Sequence, residues 1–189
     1  MTVAEALALI APHLGDAVCI HSNGYMSRAA YGVRDTERCF YMIGSMGLAS
    51  SIGLGVALAR PELRVVVFDG DGNVLMNMNT LARIAAAAPR NLTHLCFDNG
   101  AHASTGAQAT ISDRVALDEV ARAAGYRWTG RVDRAEALAA AIPRVLSEHG
   151  PSFLLTKIEL GPPGPPGPRI AHTPDAMTRR LRRALGAER

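Results

Sequence analysis

The sequence predicts one α/β domain of three layers, in which a mostly parallel sheet carries helices on both faces. The chain has 189 residues, of which 48% are hydrophobic, enough for a single domain with a buried core. Strand-like and helix-like segments alternate along it, as they do where helices connect parallel strands. The central strand-like segments are continuous apolar runs, which strands covered on both faces require.

The N-terminal third contains the first four predicted elements. Residues 3–9 have the apolar spacing of a helix, and residues 17–21 and 40–42 are short apolar segments typical of strands. Residues 45–60, which follow Gly44, are rich in alanine, leucine and glycine. Because a glycine costs about 1 kcal/mol inside a helix, these glycines indicate a helix that packs very closely against a neighbour.

The central third contains two strands and the helix between them. Residues 64–68 are a β-branched apolar run, and the turn residues 69–72 follow it directly. Residues 73–88 have a helical composition. A second apolar run at residues 92–97 ends at the aspartate, asparagine and glycine of residues 98–100.

The last third of the domain contains two helices and two strands. Residues 115–124 form an amphipathic pattern that predicts a helix, and residues 126–129 are a candidate strand. Residues 135–146 predict another helix, which we expect Pro143 to bend. Residues 153–160 are the final apolar run and predict the last strand.

A linker and a basic helix are expected after the domain of residues 1–160. Residues 161–168 contain only glycine and proline, too few triplets for a collagen helix, so we interpret them as a stiff polyproline linker. Residues 169–189 hold six arginines and two acidic residues, which gives this segment a net charge of +4 and the rest of the chain −1. Thr173 and Pro174 suit a helix start. An apolar stripe that would bury against the domain, or else against another chain, is formed by Met177, Leu181 and Leu185.

Composition also excludes several classes of protein. We expect no nucleic-acid partner, because the basic residues are concentrated in the last helix, and no membrane partner, because no apolar segment is long enough to span a bilayer. The three cysteines have no paired spacing, so we expect neither a disulfide framework nor a zinc site, but reduced, buried thiols in a cytoplasmic protein. They are Cys19, Cys39 and Cys96.

Polar side chains follow two neighbouring predicted strands. Asp71 comes after the first strand and Asn99 after the second. The carboxyl ends of adjacent parallel strands meet at one edge of a sheet, so these side chains can share a hard cation, and Mg²⁺ fits a carboxylate and an amide oxygen. Gly70 and Gly72 would let backbone N–H groups approach a phosphate. The alternative is that both segments are simply turns.

The spacing of these residues resembles the signature of thiamine-diphosphate enzymes. After Gly70, Asp71 and Gly72 come 26 residues and then Asn99. The resemblance implies a thiamine-diphosphate-binding fold in which the side chains of Asp71 and Asn99 and the carbonyl of Ala101 hold the magnesium of the diphosphate. Asn73 stands where the family often has serine, and it can still donate to a phosphate.

A second loop resembles the family segment that holds the aminopyrimidine ring. It consists of Gly44, Ser45, Met46 and Gly47. The resemblance implies that the Gly44 carbonyl accepts from the amino group of the ring and that the Met46 side chain wedges the cofactor into a bent shape. Met46 would otherwise be interpreted as a core methionine.

Residues 20–110 are similar to the diphosphate-binding half of sulfopyruvate decarboxylase and phosphonopyruvate decarboxylase, most distinctively at 40–47 and 99–106. The resemblance implies decarboxylation of a 2-oxo acid with an anionic group on C3, giving the aldehyde. It further implies a β subunit that needs an α subunit, whose pyrimidine-binding domain supplies a catalytic glutamate. Two alternatives are a half-enzyme for another 2-oxo acid and a non-catalytic subunit with a role in assembly.

The loop after the metal motif contains the candidates for substrate contact. His102, Ser104 and Thr105 can donate to a sulfonate or phosphonate, and His102 can also move a proton; a purely structural histidine is the alternative. Arg28 and Arg34 can bind the same anion, although we expect them to pair with the nearby acidic residues of positions 35 and 37. The other histidines are interpreted as structural; they are His13, His21, His94, His149 and His172.

Overall fold

A computed structural model describes residues 1–161 and 166–187 of the chain. It contains eight helices and eight strands among these residues, with a short 3₁₀ turn at Ala11–His13. The helices are α1 (Val3–Ile10), α2 (Tyr25–Val33), α3 (Ala49–Ala59), α4 (Asp71–Met76), α5 (Asn79–Ala87), α6 (Leu117–Ala124), α7 (Ala135–Ser147) and α8 (Pro174–Ala184). The strands are β1 (Val18–His21), β2 (Cys39–Tyr41), β3 (Val65–Gly70), β4 (Leu92–Asp98), β5 (Ala101–His102), β6 (Gln108–Ala109), β7 (Trp128–Val132) and β8 (Ser152–Lys157).

Six of these strands form one parallel sheet in the order β2-β1-β3-β4-β8-β7. All five neighbouring pairs are parallel, which confirms the predicted α/β class. One apolar cluster packs α1, α2 and α7 against one face, and a second packs α3, α5 and α6 against the other. The continuous apolar runs of β3 and β4 are buried on both faces because helices cover both.

The order of β1, β3 and β4 creates the edge where the predicted site lies. β3 runs beside β4, with Gly70 opposite Phe97, so the chain leaves both strands at the same edge. The Gly53 position in α3 meets β3 so closely that an added Cβ would lie 2.3 Å from Val67. This confirms the close helix–sheet contact predicted from the glycines of that segment.

Several element boundaries differ from the predicted ones. The helix predicted over 73–88 begins earlier, at Asp71, and is interrupted at Asn77, where φ is −142° and ψ is 54°. The helix predicted over 45–60 begins only at Ala49, because residues 44–48 form a loop. Pro143 lies inside α7, which continues to Ser147. Helix α2 and the β5–β6 hairpin were not predicted, since both are short and rich in polar or small residues.

The C-terminal helix packs against the domain, as predicted. Thr173 accepts a hydrogen bond from the Ala176 N–H (3.2 Å) and caps the helix. Met177 is buried in one apolar cluster and Leu181 in the other, so α8 covers the edge strand β2. The predicted linker lies partly outside the described residues, at 162–165.

The arginine pairing predicted near residue 35 was wrong. The partners of Asp35 are His172 and Arg180, and Glu37 pairs with Arg183, so α8 and the residues just before it supply these partners. Arg28 donates to the Gly167 carbonyl (3.0 Å), and Arg34 donates to the Gly15 carbonyl (2.6 Å). Sequence proximity favoured the wrong partners because α8 is distant along the chain. In the described residues, no helix has the length and apolar character that a bilayer crossing requires.

Candidate cofactor and metal site

The structure places the predicted site in a cleft of about 410 Å³ at the carboxyl ends of β3 and β4. Asp71 is the first residue of α4, directly after β3, and Asn99 directly follows β4. All of the predicted site residues except Gly44 and Ser45 line this cleft. The two motifs that are separate in the sequence therefore meet, as the parallel topology requires.

Asp71 is a buried carboxylate held by one hydroxyl. Its Oδ2 accepts a hydrogen bond from the Thr110 hydroxyl at 2.5 Å, and only 2% of the residue is exposed. Burial raises the pKa of Asp71, and the nearby negative charge of Asp98 raises it further. A divalent cation at the open side of this carboxylate would offset both effects.

Asp98 and Asn99 have different environments although they are adjacent. Asp98 accepts from the Ser112 hydroxyl (2.8 Å), the Gly100 N–H (3.0 Å) and the Lys157 ammonium (2.7 Å). These contacts occupy both oxygens of Asp98, which holds the strand end in place. Asn99 lines the cleft, and its Oδ1 accepts only from the Ala101 N–H at 3.0 Å among the described residues. An amide oxygen retains a second lone pair for a cation.

Gly72 lies beneath two side chains of the cleft. An added Cβ at this position would come within 2.7 Å of the His102 ring and 3.0 Å of the Met46 Cε. A larger residue here would push the ends of these two side chains aside, so glycine allows both to approach the backbone. Met46 and His102 meet over the start of α4, so the loop of residues 44–47 and the loop after β4 both contribute to the cleft.

Two asparagines fix the loop of residues 44–47 to α4. The Gly47 N–H donates to Asn73 Oδ1 (3.0 Å), and Asn77 Nδ2 donates to the Gly47 carbonyl (3.0 Å). Because the backbone donor identifies the Asn73 oxygen, the amino group of Asn73 points the other way, towards Gly70. Asn73 can therefore clasp the loop and donate to a phosphate at the same time.

The remaining predicted residues have distinct positions. Gly44 and Ser45 are exposed, and no atom lies within 4 Å of a Cβ added at Gly44. Ser104 lies beside Gly24, whereas the Thr105 hydroxyl lies 2.9 Å from Gln108 Oε1 and 3.3 Å from the His102 carbonyl. The β5–β6 hairpin thus already uses the Thr105 hydroxyl.

Three supporting residues were missed in the sequence. Thr110 and Ser112 orient the two aspartates from a segment that resembles an ordinary polar loop. Lys157 ends β8 and pairs with Asp98. It is the sole lysine of the chain, and a cation at the end of a buried strand indicates a charged partner.

The donor set fits a magnesium diphosphate group. Asp71 supplies a carboxylate, Asn99 an amide oxygen, and Ala101 lies beside them in the cleft, which is the oxygen-only ligand chemistry that Mg²⁺ prefers. At Gly72 the missing side chain lets Met46 and His102 approach the start of α4 closely. Residues 70–72 at the start of α4 line the same cleft, and the first N–H groups of a helix have no partner within the helix.

Comparison with known proteins agrees with this geometry. Residues 21–155 match the family described as thiamine pyrophosphate enzyme, C-terminal TPP binding domain. The chain belongs to this family. A solved structure of 2-oxoglutarate:ferredoxin oxidoreductase from Magnetococcus marinus superposes with a TM-score of 0.70 at 18% identity, covering 89% of this chain and 64% of that one, which shows the shared fold.

Two curated relatives have more informative names. A phosphonopyruvate decarboxylase from Streptomyces viridochromogenes is 41% identical over 95% of this chain and 45% of its own length. A sulfopyruvate decarboxylase subunit beta from Methanococcus maripaludis is 39% identical over 83% of this chain and 84% of its own. The chain thus spans about half the length of the first relative and most of the second.

Proposed function

We propose that this chain is the diphosphate-binding β subunit of a thiamine-diphosphate-dependent decarboxylase for 3-sulfopyruvate or 3-phosphonopyruvate. The observation that carries the proposal is that Asp71 and Asn99 line one cleft, beside Gly72 at the start of α4. The substrate class comes from the names of the relatives, of which one acts on a phosphonate and the other on a sulfonate.

In this proposal the chain's residues bind and orient the cofactor. Asp71, Asn99 and the Ala101 carbonyl would hold Mg²⁺, while the Asn73 amide and the α4 N-terminus donate to the diphosphate. Met46 would pack against the rest of the cofactor, and the carbonyl of Gly44 would accept a hydrogen bond from it. When bound, thiamine diphosphate accepts the electron pair that decarboxylation of a 2-oxo acid releases.

The polar side chains of the cleft suggest how an anionic substrate is recognised. His102 is the sole basic side chain among the described residues that line the cleft. We assign it to the anionic group on C3 or to proton transfer, with Ser104 as a further donor and Thr105 as the residue that shapes the hairpin. The rest of the positive charge that a sulfonate or phosphonate needs would come from the partner subunit.

Exposed apolar side chains support a partner at this edge. Ile43 and Leu48 flank the loop of residues 44–47, Met76 ends α4, and Ile111 follows Thr110; all four are exposed. Each lies in a segment that carries the site, as expected if an α subunit with the pyrimidine-binding domain and its glutamate packs here. The three free, buried cysteines suit the reducing conditions of the cytoplasm.

The test is reconstitution with an α subunit that carries a pyrimidine-binding domain. The two subunits are co-purified, supplied with thiamine diphosphate and Mg²⁺, and assayed for aldehyde from 3-sulfopyruvate, 3-phosphonopyruvate and pyruvate. We expect turnover of one anionic substrate, with none from either subunit alone. Turnover of pyruvate alone would contradict the proposed substrate class, and turnover by an α subunit without this chain would contradict the split site.

A further inference from the structure

Two cysteines and a histidine lie together on β1 and β2, at one side of the sheet. Cys19 and His21 are two residues apart on β1, so their side chains point to the same face. Cys39 of β2 is the register partner of Cys19. One ligand atom from each of the three residues lies within 4.8 Å of the other two. Strand register, rather than sequence spacing, creates this group.

The group is buried, and its histidine has no oxygen or nitrogen partner among the described residues. Cys19, His21 and Cys39 are each at most 3% exposed. The ring of His21 is stacked between Tyr41 (centroids 4.9 Å apart) and Phe68 (4.5 Å). No oxygen or nitrogen atom of the described residues pairs with either ring nitrogen, and the Cys39 thiol is the polar group that interacts with the ring. Leaving a buried donor or acceptor unpaired costs about 1–3 kcal/mol, so a ligand that pairs with these nitrogens would stabilise the fold.

We propose that Cys19, His21 and Cys39 bind one thiophilic metal cation, with Zn²⁺ as the expected ion. Two thiolates and an imidazole are ligands that Zn²⁺ and Cu⁺ favour and that Mg²⁺ does not. A void of about 10 Å³ adjoins the three side chains. This is close to the space that one water molecule occupies, and such a water would provide a fourth ligand. This site is separate from the cleft of Asp71 and Asn99 and does not depend on the proposed function.

Charge around the group is compatible with a bound cation. The thiols of Cys19 and Cys39 lose their protons when they coordinate a metal, because the cation stabilises each thiolate. Zn²⁺ with two thiolates is neutral. Cu⁺ with two thiolates leaves one negative charge, which the Arg34 guanidinium, 4.0 Å from Cys19 Sγ, would balance.

The position suggests what the metal does. β2 is an edge strand of three residues, and a cation bound to both strands would fasten it to β1. Ser22 and Asn23 follow His21 directly and line the cofactor cleft. A metal here would therefore hold one wall of that cleft in place without contact to the cofactor.

The test measures metal binding by the full-length chain, purified under reducing conditions without a polyhistidine tag. The protein is stripped with a chelator and titrated with Zn²⁺ against a chromophoric chelator, with Mg²⁺ in excess to occupy the oxygen site. We expect one equivalent of Zn²⁺. X-ray absorption at the zinc edge should then show two sulfurs at about 2.3 Å and one nitrogen at about 2.0–2.1 Å.

Variants assign the metal to these residues. Cys19→Ala and Cys39→Ala should each weaken Zn²⁺ binding more than about 100-fold, since even the loss of a group outside the ligand set costs 10–100-fold. Cys96→Ala is the matched control, because Cys96 is equally buried but lies on β4. It should bind Zn²⁺ as the wild type does. The absorption measurement on the wild type does not depend on whether the variants fold.

Three results would overturn the proposal. They are no Zn²⁺ or Cu⁺ binding in competition with the chelator, zinc ligated without sulfur, and a Cys19–Cys39 disulfide in protein prepared without oxygen. Cu⁺ bound in place of Zn²⁺, through two sulfurs and one nitrogen, would support the site and identify the cation.

Discussion

Two regions of the sheet differ in how their buried polar groups find hydrogen-bond partners. The first is the carboxyl end of β3 and β4, and the second is the strand pair β1–β2. At the first, Asp71 accepts from Thr110, while Asp98 accepts from Ser112 and Lys157. At the second, no oxygen or nitrogen of the described residues pairs with the His21 ring, and two cysteines lie near it. In the first region, protein groups hold the two carboxylates in place. In the second, the imidazole lacks a partner that a bound ligand would supply.

The two regions also differ in what the sequence reveals about them. The polar groups of the first follow strand ends, where turn residues stand out against apolar runs and form contiguous motifs. Those of the second lie within strands and become neighbours only through the register of Cys19 with Cys39. Motif reading therefore detects sites built from turns and misses sites built across strands.

The largest effect is expected from Asp71→Ala, which removes a proposed metal ligand from the first region. Removal of a metal ligand should weaken Mg²⁺-dependent binding of thiamine diphosphate to the α–β complex by more than about 100-fold. The fold should persist, because Asp71 lies at a strand end and outside the apolar core. Isothermal titration calorimetry measures the affinity, and circular dichroism checks the fold.

Cys19→Ala is the matched control for that experiment, because it changes a buried polar residue of the second region. It should leave the affinity for thiamine diphosphate within about 10-fold of the wild type, the lower end of the effect of groups outside the ligand set. Unchanged cofactor affinity in Asp71→Ala would show that the cation lies elsewhere.

Most of the fold follows from the sequence, and the site follows in part. The apolar runs of β3 and β4 were sufficient to predict a parallel sheet, and hence that Asp71 and Asn99 meet. The hairpin that brings Thr110 to Asp71 was not predictable, because its two strands have two residues each and no apolar pattern. The partners of Asp35 are Arg180 of α8 and His172, which precedes that helix, and only tertiary packing determines such contacts.

An intermediate effect is expected from Lys157→Met, which leaves a buried polar group of the first region without its charged partner. Asp98 is 2% exposed, and the change leaves its Oδ2 without a cation. Breaking a fully buried pair costs about 3–5 kcal/mol, but the Lys157 side chain is 39% exposed, so we expect a loss of about 1–2 kcal/mol in the free energy of unfolding. Urea denaturation measures it.

Lys157→Arg retains the charge and should recover most of that loss. Equal stability of Lys157→Met and the wild type would mean that solvent replaces the ammonium group at no cost. In that case the strand end would not depend on this ion pair, and the contrast between the two regions would rest on Asp71 alone.

The smallest effect is the pH dependence of stability that Asp71 contributes. Burial raises its folded-state pKa above the ordinary value of 3.8, so the folded chain binds this proton more tightly than the unfolded chain does. The contribution to stability is fully present below pH 3.8 and is lost as the pH rises through the folded-state pKa. Above the folded-state pKa, the metal-free protein therefore carries an ionised, buried carboxylate as a cost, which a bound cation removes. Asp71→Asn, which can still accept from Thr110, keeps the side chain neutral at every pH. Measured by urea denaturation without metal, the variant should become more stable relative to the wild type as the pH rises from about 4 to about 7; parallel curves would mean that Asp71 titrates as an exposed carboxylate does and that no cation is needed to balance it.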